Sequence, residues 1–433
     1  MKKLLAILLV LCMVFSLAAC GESGDPQSNE GNDVSNGEQV GESGGAVTGN
    51  DIEKVDYAAE VFNSDIVKNT SGAVSVVNDL SNTYYKLKNN KKLTIGYTGG
   101  SVTDGTGGTN GHCWRTDVTQ WFKDNFPDAE ITEADGSQGN KSSLWGFFRA
   151  DDWVKKGQEA SLIDMKPDLV FLEFTINDYL VRMSETRTNH YMEGLIRKIR
   201  KALPETDIVI IYITNEAFID KVLPTRPYHE ELAAHYGLPS VDVGAAMKNH
   251  LAATGEPFRN YFADDVHPND KGYKVYAEEI CKYLKDRLIT NPNKNATVKA
   301  CEMPKNSLLS NPTDDSEMYS VDEFKEFVTL KDWKEMNVPG NSVAQFGTQL
   351  YGSTDSELEF DFVGTGVSLM VDAPTNALVK CEIDGKETVS ASVMNNIHNE
   401  LFLVNNLTPG KHHIKIRIVN GKRFIIGALL IEK

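Results

Sequence analysis

A chain of 433 residues is long enough for two domains of ordinary size, and its apolar and charged fractions, 41% and 24%, are those of a soluble globular protein. Its 44 Lys and Arg against 61 Asp and Glu give a formal charge of -17. With no dense basic cluster to offset it, that charge argues against nucleic acid as a partner.

The first twenty residues differ from the rest. Lys2 and Lys3 precede an almost wholly apolar run, Leu4 to Ala19, which ends Leu17-Ala18-Ala19-Cys20. The run is short for a membrane span and closes on small residues, the pattern of a secretory signal. Its ending resembles the bacterial lipoprotein signal, in which the cysteine becomes the lipidated first residue. The alternatives are an ordinary signal peptide or an anchor helix. The expectation is a signal peptide over 1–20, a lipid on Cys20 and a chain held at the extracellular face of the bacterial membrane. Residues 21–52 are Gly, Ser, Asn, Glu and Asp with almost no apolar residue, and cannot bury enough surface to offset their ordering entropy. They read as a tether with a reach of ~30 Å. Of the cysteines beyond Cys20, Cys113, Cys281, Cys301 and Cys381 are widely spaced, without a close metal-ligand pair. They read as buried or free thiols; a Cys281–Cys301 bridge is conceivable but not implied.

Residues 53–290 form the first globular unit, in which 53–90 pack on the rest of that unit. From Leu93 the pattern alternates strand and helix. Leu93 to Thr98 is a strand, and Trp114, Val118, Trp121 and Phe122 then fall on one helical face. Ala129 to Thr132 is a second strand and 143–157 a helix. Asp168 to Phe174 and Asp207 to Ile213 are apolar runs expected of strands covered on both faces. Helices follow over 187–202, 226–237 and 243–253, with a short strand at 239–243. Tyr273, Tyr276, Ile280, Leu284 and Leu288 make one face of a last helix. Repeated β-α units imply an α/β fold, a parallel sheet between two layers of helices, with the site at the carboxyl ends of the strands.

Residues 291–315, rich in Asn, Pro, Lys and Ser, read as a linker. Over 316–433 the period changes to two: Leu358, Phe360, Phe362; Val379, Cys381, Ile383; Ile414, Ile416, Ile418. Asp384-Gly385 and Asn420-Gly421 are hairpin turns. This part is expected to be an all-β, jelly-roll-like sandwich. Trp333, Phe346 and Tyr351 are either core residues or an aromatic platform for a glycan.

Chemistry concentrates at a few strand ends. Tyr97-Thr98-Gly99-Gly100-Ser101-Val102-Thr103 is strand, glycine turn and helix start, which lifts Ser101 off the sheet. A serine needs a base, and the base needs an orienting partner. His190, His229, His235 and His250 lie on or beside helices, and His398, His412 and His413 in the sandwich, where packing or surface roles suffice. His112 is expected at a helix start. His267 stands in the polar loop Asp264-Asp265-Val266-His267-Pro268-Asn269-Asp270, stiffened by Pro268 and closed by Asp270 as a helix cap. Asp264, three residues back, can accept its Nδ1–H, and Asp265 is the weaker alternative. A metal site of Asp264, His267 and Asp270 lacks a second histidine. Ser101 N–H, Gly139 N–H and the Asn177 amide, each at a strand end, are candidate oxyanion donors.

The blocks Gly99-Gly100-Ser101-Val102-Thr103, Gly139, Thr175-Ile176-Asn177-Asp178 and Asp264-Asp265-Val266-His267-Pro268 resemble, in type and order, those of the SGNH hydrolases, or GDSL esterases. The resemblance covers about 93–290. Lys166-Pro167-Asp168-Leu169-Val170 and Gly146-Phe147-Phe148-Arg149 look like segments of bacterial carbohydrate-esterase-like members. It implies a flavodoxin-like three-layer fold, with Ser101 as nucleophile and first oxyanion donor, Gly139 and Asn177 as the others, His267 as base and Asp264 as its partner. It implies no cofactor and an acylated carbohydrate substrate, most simply an O-acetyl ester. Three residues depart from the pattern: Gly100 in place of Asp, Asp135 in place of Asn and Thr175 in place of Gly. The competing reading is an inactive surface lipoprotein that binds glycan through its sandwich.

Overall fold

The computed structural model describes residues 67–340, 343–372, 377–393 and 399–433. The expected signal segment, Cys20, the tether and His398 lie outside them.

Five parallel strands form the first sheet: β1 (Lys92–Gly99), β2 (Glu130–Asp135), β3 (Leu169–Glu173), β4 (Asp207–Tyr212) and β5 (Ser240–Asp242), in the order β2-β1-β3-β4-β5. This is the flavodoxin-like order, whose reversal of winding falls between β1 and β3. The helices that cover it are α1 (Trp114–Asn125), α2 (Ser143–Asp152), α3 (Glu185–Ala202), α4 (Arg226–Tyr236), α5 (Val243–Thr254) and α6 (Asp270–Lys285). Side chains alternate across a strand. Leu93, Ile95, Tyr97, Leu169, Phe171, Val209 and Ile211 therefore pack on one face with Trp114, Val118, Phe122, Tyr273, Tyr276 and Ile280. Val170, Leu172, Ile208 and Ile210 pack on the other with Trp145, Phe147, Phe148, Leu195 and Ile199.

Three local expectations change. The helix expected over 143–157 ends at Asp152, because the chain turns extended at Trp153. The second strand runs on to Asp135, which carries it to the level of Tyr97. The cap of α6 is Asn269, whose side chain accepts from Lys271 N and Gly272 N, rather than Asp270. Asp270 instead accepts from Thr109 N at 2.8 Å and sits 3.2 Å from His112 Nδ1. His112 accordingly precedes α1, whose cap is Cys113. All four cysteines among the described residues are free thiols.

The C-terminal part is two antiparallel sheets. One has the order β13-β12-β15-β10-β7, from β7 (Thr329–Lys331), β10 (Glu357–Gly364), β12 (Ala377–Ile383), β13 (Lys386–Val393) and β15 (Gly410–Asn420). The other has the order β14-β11-β16-β9-β8, from β8 (Lys334–Met336), β9 (Gln349–Gly352), β11 (Gly366–Asp372), β14 (Glu400–Val404) and β16 (Phe424–Glu432), with β6 (Ser316–Ser320) also on β16. Leu358, Phe360, Phe362, Val379, Cys381, Ile383, Ile414, Ile416 and Ile418 are buried between the sheets, as the period of two requires. Asp384 and Gly385, both at positive φ, make the tight turn from β12 to β13.

β16 is buried along its whole length, and this follows from two partners rather than one. Phe424, Ile426, Leu429 and Ile431 face the other sheet. Ile425, Ala428 and Leu430, with Met370 and Phe402, join the cluster formed by Phe147, Phe148, Tyr191 and Met192 of α2 and α3. The layers are thus helices, parallel sheet, helices, antiparallel sheet, antiparallel sheet. Glu432, wholly buried, lies 2.9 Å from His190 Nε2 and accepts from Tyr191 OH at 2.8 Å. The intervening residues 291–315 carry no helix, yet they are pinned: Glu193 on α3 accepts from Leu308 N at 2.6 Å, Leu309 N at 2.9 Å and Tyr236 OH at 2.6 Å.

Removing one member of a buried hydrogen-bonded cluster leaves its partners unpaired, at a cost of about 1–3 kcal/mol. Glu432→Ala should destabilise the protein by that order in urea titration, and Glu432→Gln by less. A loss below about 1 kcal/mol would mean that this carboxylate does not hold the two parts together.

Candidate active site

β1 lies between β2 and β3 in a register that pairs Tyr97 with Asp135 and Gly99 with Glu173. Three strand ends therefore stop side by side, and the turns leaving them converge. Ser101 opens a one-turn helix, Ser101–Asp104, directly beyond β1. Asn177 lies in a short helix, Thr175–Leu180, beyond β3. Gly139 lies in the loop beyond β2, where a Cβ built on it would be 3.9 Å from Ser101 Cβ.

The candidate base comes from the far end of the domain's sequence. His267 Nε2 is 2.7 Å from Ser101 Oγ, and His267 Nδ1 is 2.7 Å from Asp264 Oδ2. The carboxylate accepts the Nδ1 proton, which leaves the Nε2 lone pair to accept the Ser101 hydroxyl. Asp264 is fixed in turn: its Oδ1 accepts from Val266 N and His267 N, both at 2.8 Å. Partial burial would raise the Asp264 pKa, but these hydrogen bonds from His267 and Val266 outweigh it and hold the carboxyl below its usual range. Asp265, the alternative partner, pairs with Arg259 instead. The loop is tied by Ala263 N donating to His267 O at 2.8 Å and by Asn269 N donating to Tyr261 O at 2.9 Å. Gly107, at φ 95°, lets it approach; a Cβ there would meet Pro268 O at 2.5 Å.

The candidate oxyanion donors differ in their surroundings. Asn177 is 1% exposed and lies directly over Gly100, where a Cβ would fall 2.0 Å from its Oδ1. The departure from Asp at position 100 thus has a steric cause: any side chain there occupies the space of the Asn177 amide. Gly139 N–H donates to Asp104 Oδ2 at 3.3 Å, a long bond at the edge of the same space. The structure therefore gathers Ser101, His267, Asp264, Asn177 and Gly139 around one point. Asp270 and His112 bond each other instead, and Trp333, Phe346 and Tyr351 are each engaged in packing or hydrogen bonds. Trp333 Nε1 donates to Glu357 O at 2.7 Å, Phe346 sits edge-on to Trp145, and Tyr351 OH donates to Lys422 O at 3.0 Å.

Beneath the turn lies a polar layer that the sequence did not single out as functional. Arg149, buried in α2, donates to Gly99 O at 2.8 Å and Thr98 Oγ1 at 3.1 Å, and burial pulls its pKa down to about 10. Glu173, at the end of β3, accepts from Thr103 Oγ1 at 2.9 Å, and burial pushes its pKa up to about 8. His229 pairs with Asp178 at 2.9 Å, both fully buried, and Asp178 also accepts from Ser143 N at 2.8 Å. Glu400 of β14 reaches from the sandwich to accept from Ser142 N at 3.1 Å; burial, opposed by Lys141, lifts its pKa to about 7. The sequence signal for Arg149 and Glu173 was a charge within an apolar helix and another closing an apolar strand. Glu400 left none, because its partner is more than 250 residues away.

Residues 98–275 match the model of the GDSL-like lipase/acylhydrolase family. The α/β domain belongs to that family. The matched stretch is the α/β domain, which is of the GDSL-like, or SGNH, serine-esterase type. Among solved structures, a two-domain esterase (CEX) active on acetylated mannans is similar over 85% of this chain and 99% of its own, at 20% identity and a TM-score of 0.68. The same esterase co-crystallized with mannopentaose matches 85% of this chain and 98% of its own, at 19% identity and a TM-score of 0.66. These likenesses are of fold, and their extent takes in the sandwich as well as the GDSL-like domain. Axe2, an acetylxylan esterase from Geobacillus stearothermophilus, matches 44% of this chain and 94% of its own at 14% identity, with a TM-score of 0.35 from which nothing is argued. No curated protein matches the chain.

Gly100→Ala should displace Asn177, a candidate oxyanion donor, and the loss of such a donor is worth roughly 10²–10³ in kcat. Steady-state hydrolysis of a short acyl ester should give that loss in kcat with KM little changed. Unaltered kcat would mean that Asn177 does not serve the GDSL-like domain's site.

Proposed function

We propose that this chain is a cell-surface esterase that removes acetyl groups from carbohydrate, with Ser101, His267 and Asp264 as its catalytic triad. The observation that carries the reading is the unbroken chain of 2.7 Å contacts from Ser101 Oγ through the imidazole to Asp264. Ser101 Oγ attacks the ester carbonyl as its proton passes to His267 Nε2, and Asp264 stabilises the imidazolium without taking the proton. The oxyanion is received by Ser101 N–H, Gly139 N–H and the Asn177 amide. Collapse expels the sugar alcohol, which takes the proton from Nε2. Water, deprotonated by the same nitrogen, then releases acetate and restores the Ser101 hydroxyl. The steps need no cofactor. Acetylated carbohydrate is favoured because the fold matched across both parts of the chain is that of an esterase active on acetylated mannans.

Wild-type protein should release acetate from acetylated mannan and hydrolyse p-nitrophenyl acetate. Ser101→Ala should lower both rates by roughly 10³-fold or more. Polysaccharide binding without hydrolysis by the wild type would favour the inactive binder instead.

The surface location rests on the signal-like run that ends at Cys20 and on the polar tether behind it. Full-length protein should fractionate with membranes of a bacterial host and Cys20→Ser should not. Equal partition of the two would remove the lipid anchor from the proposal.

A further inference from the structure

The loop from Asp135 to Gly139 and the one-turn helix begun by Ser101 leave different strands, and one ammonium joins them. Lys155 Nζ lies 2.5 Å from Asp104 Oδ1 and 2.8 Å from Asp135 Oδ2, and donates to Ser137 Oγ at 2.9 Å and Ser137 O at 3.0 Å. It stands in the irregular segment just after α2, which ends at Asp152 instead of running on. Asp135 has a second cation, Arg115, at 3.2 Å, which also pairs with Glu133. Asp104 has Lys155 as its ion-pair partner. The other oxygen of Asp104 accepts the Gly139 N–H.

The arrangement sets a problem for the reaction. A carboxylate holds the N–H that must pass to the oxyanion, and its charge has the same sign as the one that develops. We propose that Lys155 is a positioning residue for the esterase reaction. It neutralises Asp104 and Asp135 at the rim of the oxyanion site, and it fixes the loop that presents Gly139 against the turn that presents Ser101. The inference rests on the esterase reading of the site. A carboxylate paired with an ammonium is a weaker acceptor for Gly139 and a weaker repellent for the oxyanion. Both effects act where charge develops, so Lys155 should count in the transition state and little in substrate binding.

The test is a charge cycle with a soluble acetyl ester, each variant being melted to establish that it is folded. Lys155→Gln keeps a hydrogen-bonding group and removes the charge; kcat should fall roughly 30-fold or more, with KM within about threefold. Lys155→Arg should keep most of the rate. In Lys155→Gln/Asp104→Asn the stranded carboxylate is gone, and kcat should recover at least about fivefold over Lys155→Gln, a gain that a purely structural lysine would not produce. The inference is overturned if Lys155→Gln stays within about threefold of wild type, if KM rises as kcat falls, or if the double variant is no faster than the single one. It is also overturned if neither Lys155→Gln nor Lys155→Met folds while Lys155→Arg does, since the lysine is then structural. An inactive wild type would sink the esterase reading and this inference with it. An active wild type that Ser101→Ala silences but Lys155→Gln does not sinks this inference alone.

Discussion

The register of β1 between β2 and β3 is the constraint on which the site depends. Gly99 opposite Glu173, and Tyr97 opposite Asp135, bring three turns to one level. A slip by one residue would turn every side chain of β1 to the other face. Tyr97 would then leave its stack on Phe171, and Ser101 would no longer meet the His267 loop. The register is held by burial on both faces and by the layer beneath the turn, where Arg149 ties down Gly99 O and Glu173 receives Thr103. Those buried polar groups are costly to place there, and they form a bonded floor under Ser101.

Close approach is the second theme. Gly100 has no side chain because Asn177 takes the space, and Gly107 has none because the His267–Pro268 loop does. The positions of His267 and Asn177 are thus set by backbone contact as much as by side-chain bonding. The loop that carries Gly139 is held from two sides. Lys155 and Asp104 grip one, and Glu400 of the sandwich grips the other through Ser142.

The sandwich is therefore not an appendage. Its sheet β14-β11-β16-β9-β8 closes the face of α2 and α3 that would otherwise be bare, and Glu432 adds a buried polar lock to that apolar contact. The segment 291–315 has the composition of a loose linker but is fastened to α3 by Glu193. Composition reports that a segment has no helix or strand of its own; it does not report whether a neighbour binds its backbone.

Much of this was legible in the sequence because it depends on short-range pattern. The β-α alternation, the period of two after residue 316 and the turn chemistry at Asp384-Gly385 each act over a few residues. The candidate site was legible in part for the same reason: Asp264 and His267 lie three apart, and Ser101 and Asn177 each follow a strand. Caps and ends were read less well, since Asn269 and Asp270 are equally good caps by type and Thr109 and His112 decided which was used. What the sequence determined by itself was the set of elements and the residue types able to do the chemistry. The tertiary structure decided which of them meet. It set Ser101 against His267 across 166 residues, Lys155 between Asp104 and Asp135, and Glu400 under Ser142. Such pairings follow from strand register and layer packing, which bring together residues that no local period relates.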